Sequence, residues 1–96
     1  MHLPKGNTIL MSRFCLYHTA GCHLCEEAEE LLAACFLAEA IMPVDFVKID
    51  IADSDALLER YGVLIPVLRE ENSGRELRWP FSAEDVRQFL QDFGGT

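Results

Sequence analysis

Ninety-six residues, half of them apolar and a quarter charged, suit one small domain with a single modest core and are too apolar for a disordered tail. Eight Lys and Arg against sixteen Asp and Glu leave a formal charge of −8 with no basic run, which argues against nucleic acid as a partner, because phosphate binding needs a cationic stripe. No apolar stretch approaches the roughly 18 residues of a spanning helix, so no membrane partner is expected either.

The 1–12 segment, MHLPKGNTILMS, offers only Ile9-Leu10-Met11 where a secretory signal needs an apolar core of roughly 7 to 15 residues. The cytoplasm is therefore the expected location. Residues 1–12 read as a mobile lead to one 1–96 domain, with Met11 as a candidate alternative start. In a reducing compartment the four cysteines point to catalysis, metal binding or packing rather than to two structural disulfides.

Arg13 to His18 is a short apolar run rich in aromatics, which predicts a strand buried on both faces. After Thr19-Ala20-Gly21, apolar residues at Leu24, Ala28, Leu31, Leu32, Cys35 and Phe36 keep the spacing of one helical face, with Glu26, Glu27, Glu29 and Glu30 on the solvated side. Pro43 breaks that helix. Asp45 to Ile51 alternates, setting Val47, Ile49 and Ile51 against Phe46, Lys48 and Asp50, and predicts a half-exposed strand. Asp53 is the expected cap of a short helix through Leu57, Leu58 and Tyr61, and Gly62 the left-handed residue that ends it. Pro66 to Glu70 and Arg75 to Trp79 flank the turn residues Glu71-Asn72-Ser73-Gly74 and predict an antiparallel hairpin. Ser82 with Asp85 three residues on forms a capping box for a last helix, whose face carries Val86, Phe89, Leu90 and Phe93 and which Gly94-Gly95 stops.

Two cysteines, Cys22 and Cys25, stand three apart at the start of the first helix. By themselves they are open to three readings: a redox pair, half a metal site, or core packing. The order βαβαββα, with C-x-x-C between the first strand and helix and Ile65-Pro66 before the third strand, resembles the thioredoxin fold from Arg13 to Phe93. The strings YHTAGCHLCEEAEELL, RYGVLIPVL and ELRWPFSAED are most similar to a bacterial group of small glutaredoxin-like proteins. The resemblance implies an α/β fold with a four-stranded mixed sheet of order 2-1-3-4 flanked by three helices. It also implies that Pro66 is cis and that the backbone of Ile65 faces the cysteines to receive an extended substrate. On sequence grounds alone, Pro66 is simply a proline tolerated at the first residue of a strand.

With Cys22 at or just before the first helical turn, unpaired N–H groups and the dipole favour its thiolate, which makes it the expected nucleophile. Lowering a thiol pKa from about 8.5 to about 7 raises its thiolate fraction at neutral pH from roughly 3% to roughly half. Cys25, one turn along, is the expected resolving thiol. A protonated His23 would stabilise the Cys22 thiolate, while Glu26 and Glu27 act against it. Trp79 and Phe81 are candidates to line a substrate groove, with packing at a strand end as the alternative.

Two departures from the family pattern concern mechanism. Leu16 stands six residues before Cys22, where thioredoxins carry a buried Asp. Thr19 replaces the usual Lys of glutathione-dependent glutaredoxins, and Trp79-Pro80-Phe81-Ser82 stands in the neighbourhood of their Gly-Gly-x-x-Asp stretch. No permanently bound cofactor is expected, and these departures weaken glutathione as a ligand. The expected activity is thiol–disulfide exchange on a protein or small-molecule disulfide, with a reductase or glutathione as electron source and the chain acting as a monomer.

Zinc could draw on Cys15, Cys22, Cys25 and His18 or His23, but structural zinc usually takes two close pairs and the chain has one C-x-x-C, so no metal is expected. Cys15 and Cys35 read as small core hydrophobes and His18 as a strand-end residue. The alternative function is a binding module that keeps the thioredoxin shape with a non-catalytic or metal-binding cysteine pair.

Overall fold

The computed structural model describes residues 13–39 and 46–94. The expected lead over 1–12, the break at Pro43, the strand start at Asp45 and the stop at Gly95 lie outside the described residues. Four strands, β1 (Phe14–His18), β2 (Phe46–Asp50), β3 (Val67–Glu70) and β4 (Glu76–Arg78), form one sheet of order β2-β1-β3-β4. Among the described residues, three α-helices accompany it: α1 (His23–Glu39), α2 (Asp55–Tyr61) and α3 (Ala83–Gly94), with a 3-10 turn over Ile51–Asp53. β1 runs parallel to β2 and antiparallel to β3, and β3 antiparallel to β4. A parallel pair needs a crossover, and α1 supplies it.

Alternation along β1 divides the core. Phe14 and Leu16 point into a cluster with Ala28, Leu32, Cys35 and Phe36 of α1 and Val86, Phe89 and Leu90 of α3. Tyr17 faces the other side, where Ile51, Tyr61 and Val67 make a smaller cluster under α2 and the Tyr17 and Tyr61 rings stack at 4.4 Å.

The apolar stripe of α1 begins one residue later than its periodicity suggests. Leu24 is 47% exposed, and Cys25 is the buried residue that starts the stripe. Val47 is exposed because β2 is an edge strand and the α2-side cluster reaches only Ile49 and Ile51. Lys48 on the opposite face pairs with Glu29 of α1 at 2.8 Å.

Two expectations for α2 are corrected. Its N-cap is Ser54, whose hydroxyl accepts the Leu57 N–H at 3.3 Å, because Asp53 is taken up in the 3-10 turn. Gly62 ends the helix at φ −51°, not in the left-handed region. A β-carbon there would come 2.5 Å from the Leu58 carbonyl oxygen, so close approach, not backbone sign, explains the glycine.

The Ser82 box forms in full: Asp85 accepts the Ser82 N–H at 2.9 Å and the Ser82 hydroxyl accepts the Asp85 N–H at 3.1 Å. In the hairpin turn, Gly74 takes φ +78° and its N–H donates to the Glu70 carbonyl at 2.9 Å.

Glu70 is 1% exposed, yet charged. Its carboxylate accepts the Ser73 N–H at 2.8 Å and the Arg13 N–H at 3.4 Å. Burial pushes its pKa up, but the N–H groups of Ser73, Asn72 and Arg13 together with the Ser73 hydroxyl outweigh it and hold the carboxyl below its ordinary 4.5. A folded pKa below the unfolded one stabilises the fold above the unfolded value, and that contribution is lost as pH falls through the folded one. Glu70→Ala is therefore expected to cost about 2 kcal/mol at neutral pH. Glu70→Gln should flatten the fall in urea midpoint below pH 4.5, and an unchanged acid limb in that variant would remove Glu70 as its cause.

Candidate functional site

The register brings four segments to one end of the sheet. Tyr17 pairs with Val67 and His18 with Asp50, and the Trp79 N–H donates to the Pro66 carbonyl at 3.2 Å. The loop after β1, the end of β2, the start of β3 and the end of β4 therefore share a rim. Thr19 to Cys25, Asp50, Ile65-Pro66 and Trp79-Pro80 all lie on it.

Gly21 takes φ +78°, where nothing crowds an added β-carbon, so the turn needs glycine for its backbone angle alone. Cys22 follows, immediately before α1. Its N–H donates to the Thr19 carbonyl at 3.4 Å and its carbonyl accepts the Glu26 N–H at 3.2 Å. Its Sγ accepts the Cys25 N–H at 3.1 Å, so the sulfur does what a Ser or Asp oxygen does as an N-cap. That donor and the dipole both stabilise negative charge on this sulfur. Cys22 and Cys25 form a disulfide with Cα atoms 5.2 Å apart. Cys22 is half-buried and Cys25 is 3% exposed, so one sulfur faces the rim and the other the core.

Asp50 braces the turn. Its Oδ1 accepts the Thr19 hydroxyl at 3.0 Å and the Ala52 N–H at 2.9 Å. These two donors, with a smaller contribution from His18, hold the Asp50 carboxyl below its usual range. Thr19 in turn presents its carbonyl to Cys22, so β2 is tied to the cysteine turn through one side chain. Asp50→Ala is expected to slow alkylation of reduced Cys22 by roughly fivefold, because a loosened turn misplaces the sulfur. Asp50→Asn keeps an acceptor oxygen and should restore most of the rate; alanine reacting as fast as the native residue would show that the brace does nothing.

His23 is exposed, with its ring nitrogens 4.0 Å from Glu26 and 3.4 Å from Glu27. The Ile65–Pro66 and Trp79–Pro80 bonds are both cis, and they sit side by side where β3 begins and β4 ends. Ile65 is half-buried and donates its N–H to the Tyr61 carbonyl at 3.2 Å. Trp79 is half-buried on the rim; Phe81 lies in the main core and meets the indole edge-on at 5.0 Å, supporting it from below. Leu24, between Cys22 and Cys25, adds exposed apolar surface beside the pair.

Leu16, in the place of the thioredoxin aspartate, is fully buried in the main core. The buried Glu70 pairs with Phe14 at the far end of the sheet and cannot serve in its stead. Cys15 is buried, and its thiol donates to Glu71 at 2.7 Å; desolvation first, then that carboxylate, pushes its pKa up to about 12. A buried thiol held in its protonated form is a poor nucleophile. Cys35 is buried in the main core.

Among the described residues, no group of three or more His, Cys, Asp or Glu side chains is arranged to hold a metal ion. No described helix is long and apolar enough to cross a membrane.

Sequence reading missed the Asp50–Thr19 brace, which joins residues 31 apart in the chain, and the cis bond at Pro80. No local signal marks the first, and the second carries only the general tendency of X–Pro bonds.

A family model described as glutaredoxin-like domain (DUF836) matches residues 13–91. The X-ray structure of the structural-genomics target protein XcR50 from X. campestris is 39% identical, with a TM-score of 0.69, over 82% of this chain and 96% of that one. Protein Ne2328 from Nitrosomonas europaea, solved in solution, is 25% identical with a TM-score of 0.63, over 82% and 91%. Thioredoxin 2 from Pseudomonas aeruginosa PAO1 in its reduced form shares the fold, with a TM-score of 0.67 at 20% identity over 98% and 91%. None of the curated proteins compared with the chain matches it. Because the matched region runs from β1 through most of α3 and contains the whole rim, the chain belongs to the glutaredoxin-like domain family.

Proposed function

We propose that this protein is a dithiol–disulfide oxidoreductase that reduces or exchanges disulfides of a protein or a small molecule. The observation that carries the reading is the Cys22–Cys25 disulfide at the start of α1, with the Cys25 N–H directed at the Cys22 sulfur. In the reduced protein the Cys22 thiolate attacks one sulfur of the substrate disulfide. The S–S bond breaks, one substrate thiolate leaves and takes a proton, and a mixed disulfide remains on Cys22. Cys25 then loses its proton and attacks the Cys22 sulfur, releasing the second substrate thiol and closing the Cys22–Cys25 bond. Two electrons have passed from the dithiol to the substrate. A reductase or glutathione returns them.

Burial of Cys25 supports the order of attack, since a thiol facing the core does not compete for substrate in solution. Ile65, Pro66 and Trp79 form the proposed substrate edge, with Phe81 acting through Trp79. His23, beside two carboxylates, is the proposed modulator of charge at the mouth of the turn. The proton from Cys25 goes to water or to the departing thiolate in this scheme, since the aspartate used by thioredoxins is Leu16 here. We place the protein in the cytoplasm as a monomer with no permanently bound cofactor.

Cys25→Ser stops the reaction at the mixed disulfide, so its substrate should remain attached to Cys22 and be recoverable by mass. Glutathione as the only species recovered would assign it to glutathione-linked exchange; an empty Cys22 under oxidising load would sink the oxidoreductase reading in favour of a binding module.

A further inference from the structure

Three of the chain's eight basic residues converge on a single carboxylate. Glu76 Oε2 lies 3.2 Å from Arg69 Nη1 and 3.6 Å from Arg60 Nη2, and Oε1 lies 3.5 Å from Arg78 Nη2. Tyr61 donates its hydroxyl to Oε2 at 2.6 Å and accepts from Arg69 at 3.4 Å. The Arg60 guanidinium also sits 5.3 Å above the Tyr61 ring. Burial opposes ionisation of Glu76, but the Tyr61 and Arg69 hydrogen bonds and the charges of Arg60 and Arg78 outweigh it, and its pKa is lowered.

One carboxylate cannot satisfy three guanidinium groups. It offers about four acceptor positions against about fifteen N–H donors, and three positive charges meet one negative. Arg69 is largely buried, whereas Arg60 and Arg78 are 64% and 60% exposed on their side chains and keep most of their donors toward water. Planar forks of this kind recognise carboxylate or phosphate oxygens two at a time. Both arms are held within reach of the same anion before any ligand arrives, which lowers the cost of ordering them on binding.

The position of the cluster also matters. Arg78 precedes Trp79 and pairs with Val67, next to Pro66. Arg60 precedes Tyr61, whose carbonyl receives the Leu64 and Ile65 N–H groups. The cluster therefore borders the rim on the face covered by α2. On a chain of net charge −8 it gathers three positive charges around one carboxylate.

We propose that Arg60, Arg69 and Arg78 form an oxyanion-binding site, which takes a carboxylate or phosphate group between the exposed forks of Arg60 and Arg78. Glu76 and Tyr61 hold the arginines in place, and Arg69 closes the floor. The site does not depend on the redox reading, and its test uses no turnover. The oxidised full chain is titrated with inorganic phosphate and, separately, with a tetraglutamate peptide, following the arginine Nε–H resonances by NMR. Arg60 and Arg78 should shift saturably, with half-saturation at about a millimolar phosphate, while Arg75 stays unmoved. The double variant Arg60→Gln/Arg78→Gln, in which Arg69 and Tyr61 still satisfy Glu76, should bind about tenfold more weakly. The single variant Arg60→Gln should fall between. Peptide binding tighter than phosphate identifies an acidic polypeptide segment as the source of the anion, and equal binding a small oxyanion; both uphold the site. Linear shifts without saturation, or identical titrations of the native chain and the double variant, overturn it.

Discussion

Cys22→Ser is expected to abolish turnover of disulfide substrates, by on the order of a thousandfold or more, because a serine hydroxyl stays protonated where the thiol ionises. Cys25→Ser should lose turnover as well but keep a single stoichiometric attack, and that difference separates nucleophile from resolving thiol. The physical basis is the position of Cys22 before His23, where its sulfur accepts the Cys25 N–H at 3.1 Å and faces the positive end of α1. Alkylation of the reduced protein as a function of pH measures the same property directly. Cys22 should react along a curve whose midpoint lies below the free-thiol value of about 8.5. Cys15, with its pKa pushed up to about 12 by burial and Glu71, should stay unmodified in the folded chain across that range. A Cys22 midpoint at the free-thiol value, with no disulfide formed in glutathione buffers, would falsify the oxidoreductase reading.

Phe14→Ala is expected to produce the largest loss of stability. Phe14 is buried at the far end of β1 from the cysteines, and its ring meets Phe36 of α1 at 5.5 Å and Phe89 and Phe93 of α3 at 6.3 and 5.8 Å. One side chain thus joins the central strand to both helices of the main core. Truncating such a residue costs about 3–5 kcal/mol through lost transfer energy and the cavity left behind, and the total stability of a small domain is about 5–15 kcal/mol. A urea titration should show the midpoint moving down at constant slope. Phe14→Leu, which keeps most of the volume, should cost about 1.5 kcal/mol. A loss below about 1 kcal/mol for alanine would mean that the aromatic cluster is not where the core is held together.

Much of the architecture was readable from spacing. The apolar run of β1, the stripe of α1, the Glu71 to Gly74 turn and the Ser82–Asp85 box each carry their instruction within a few residues, and each formed. The antiparallel hairpin followed because a short turn brings the two strands back side by side. The misreadings were also local in kind. Asp53 and Ser54 are both good caps, and only the 3-10 turn that consumes Asp53 decides between them. Leu24 fits the stripe as well as Cys25 does, and the rotation of α1 on the sheet buried the cysteine.

The candidate site divides in the same way. The C-x-x-C spacing, the glycine before it and the helix after it lie in one continuous stretch, so the sequence by itself determined that two cysteines meet at the start of α1 and which of them precedes the helix. Local hydrogen bonds and backbone angles suffice for that. The choice among redox pair, metal site and packing needed the resemblance and the observed disulfide. Only the tertiary structure decided what surrounds it. Asp50 reaches Thr19 because β2 lies parallel to β1, and Arg60, Arg69 and Arg78 meet at Glu76 because β4 pairs with β3 and the end of α2 sets Tyr61 against Val67 and Glu76. Those partners are set by strand order and register, and charges or hydroxyls scattered along a chain carry no periodic signal of where the fold will bring them together.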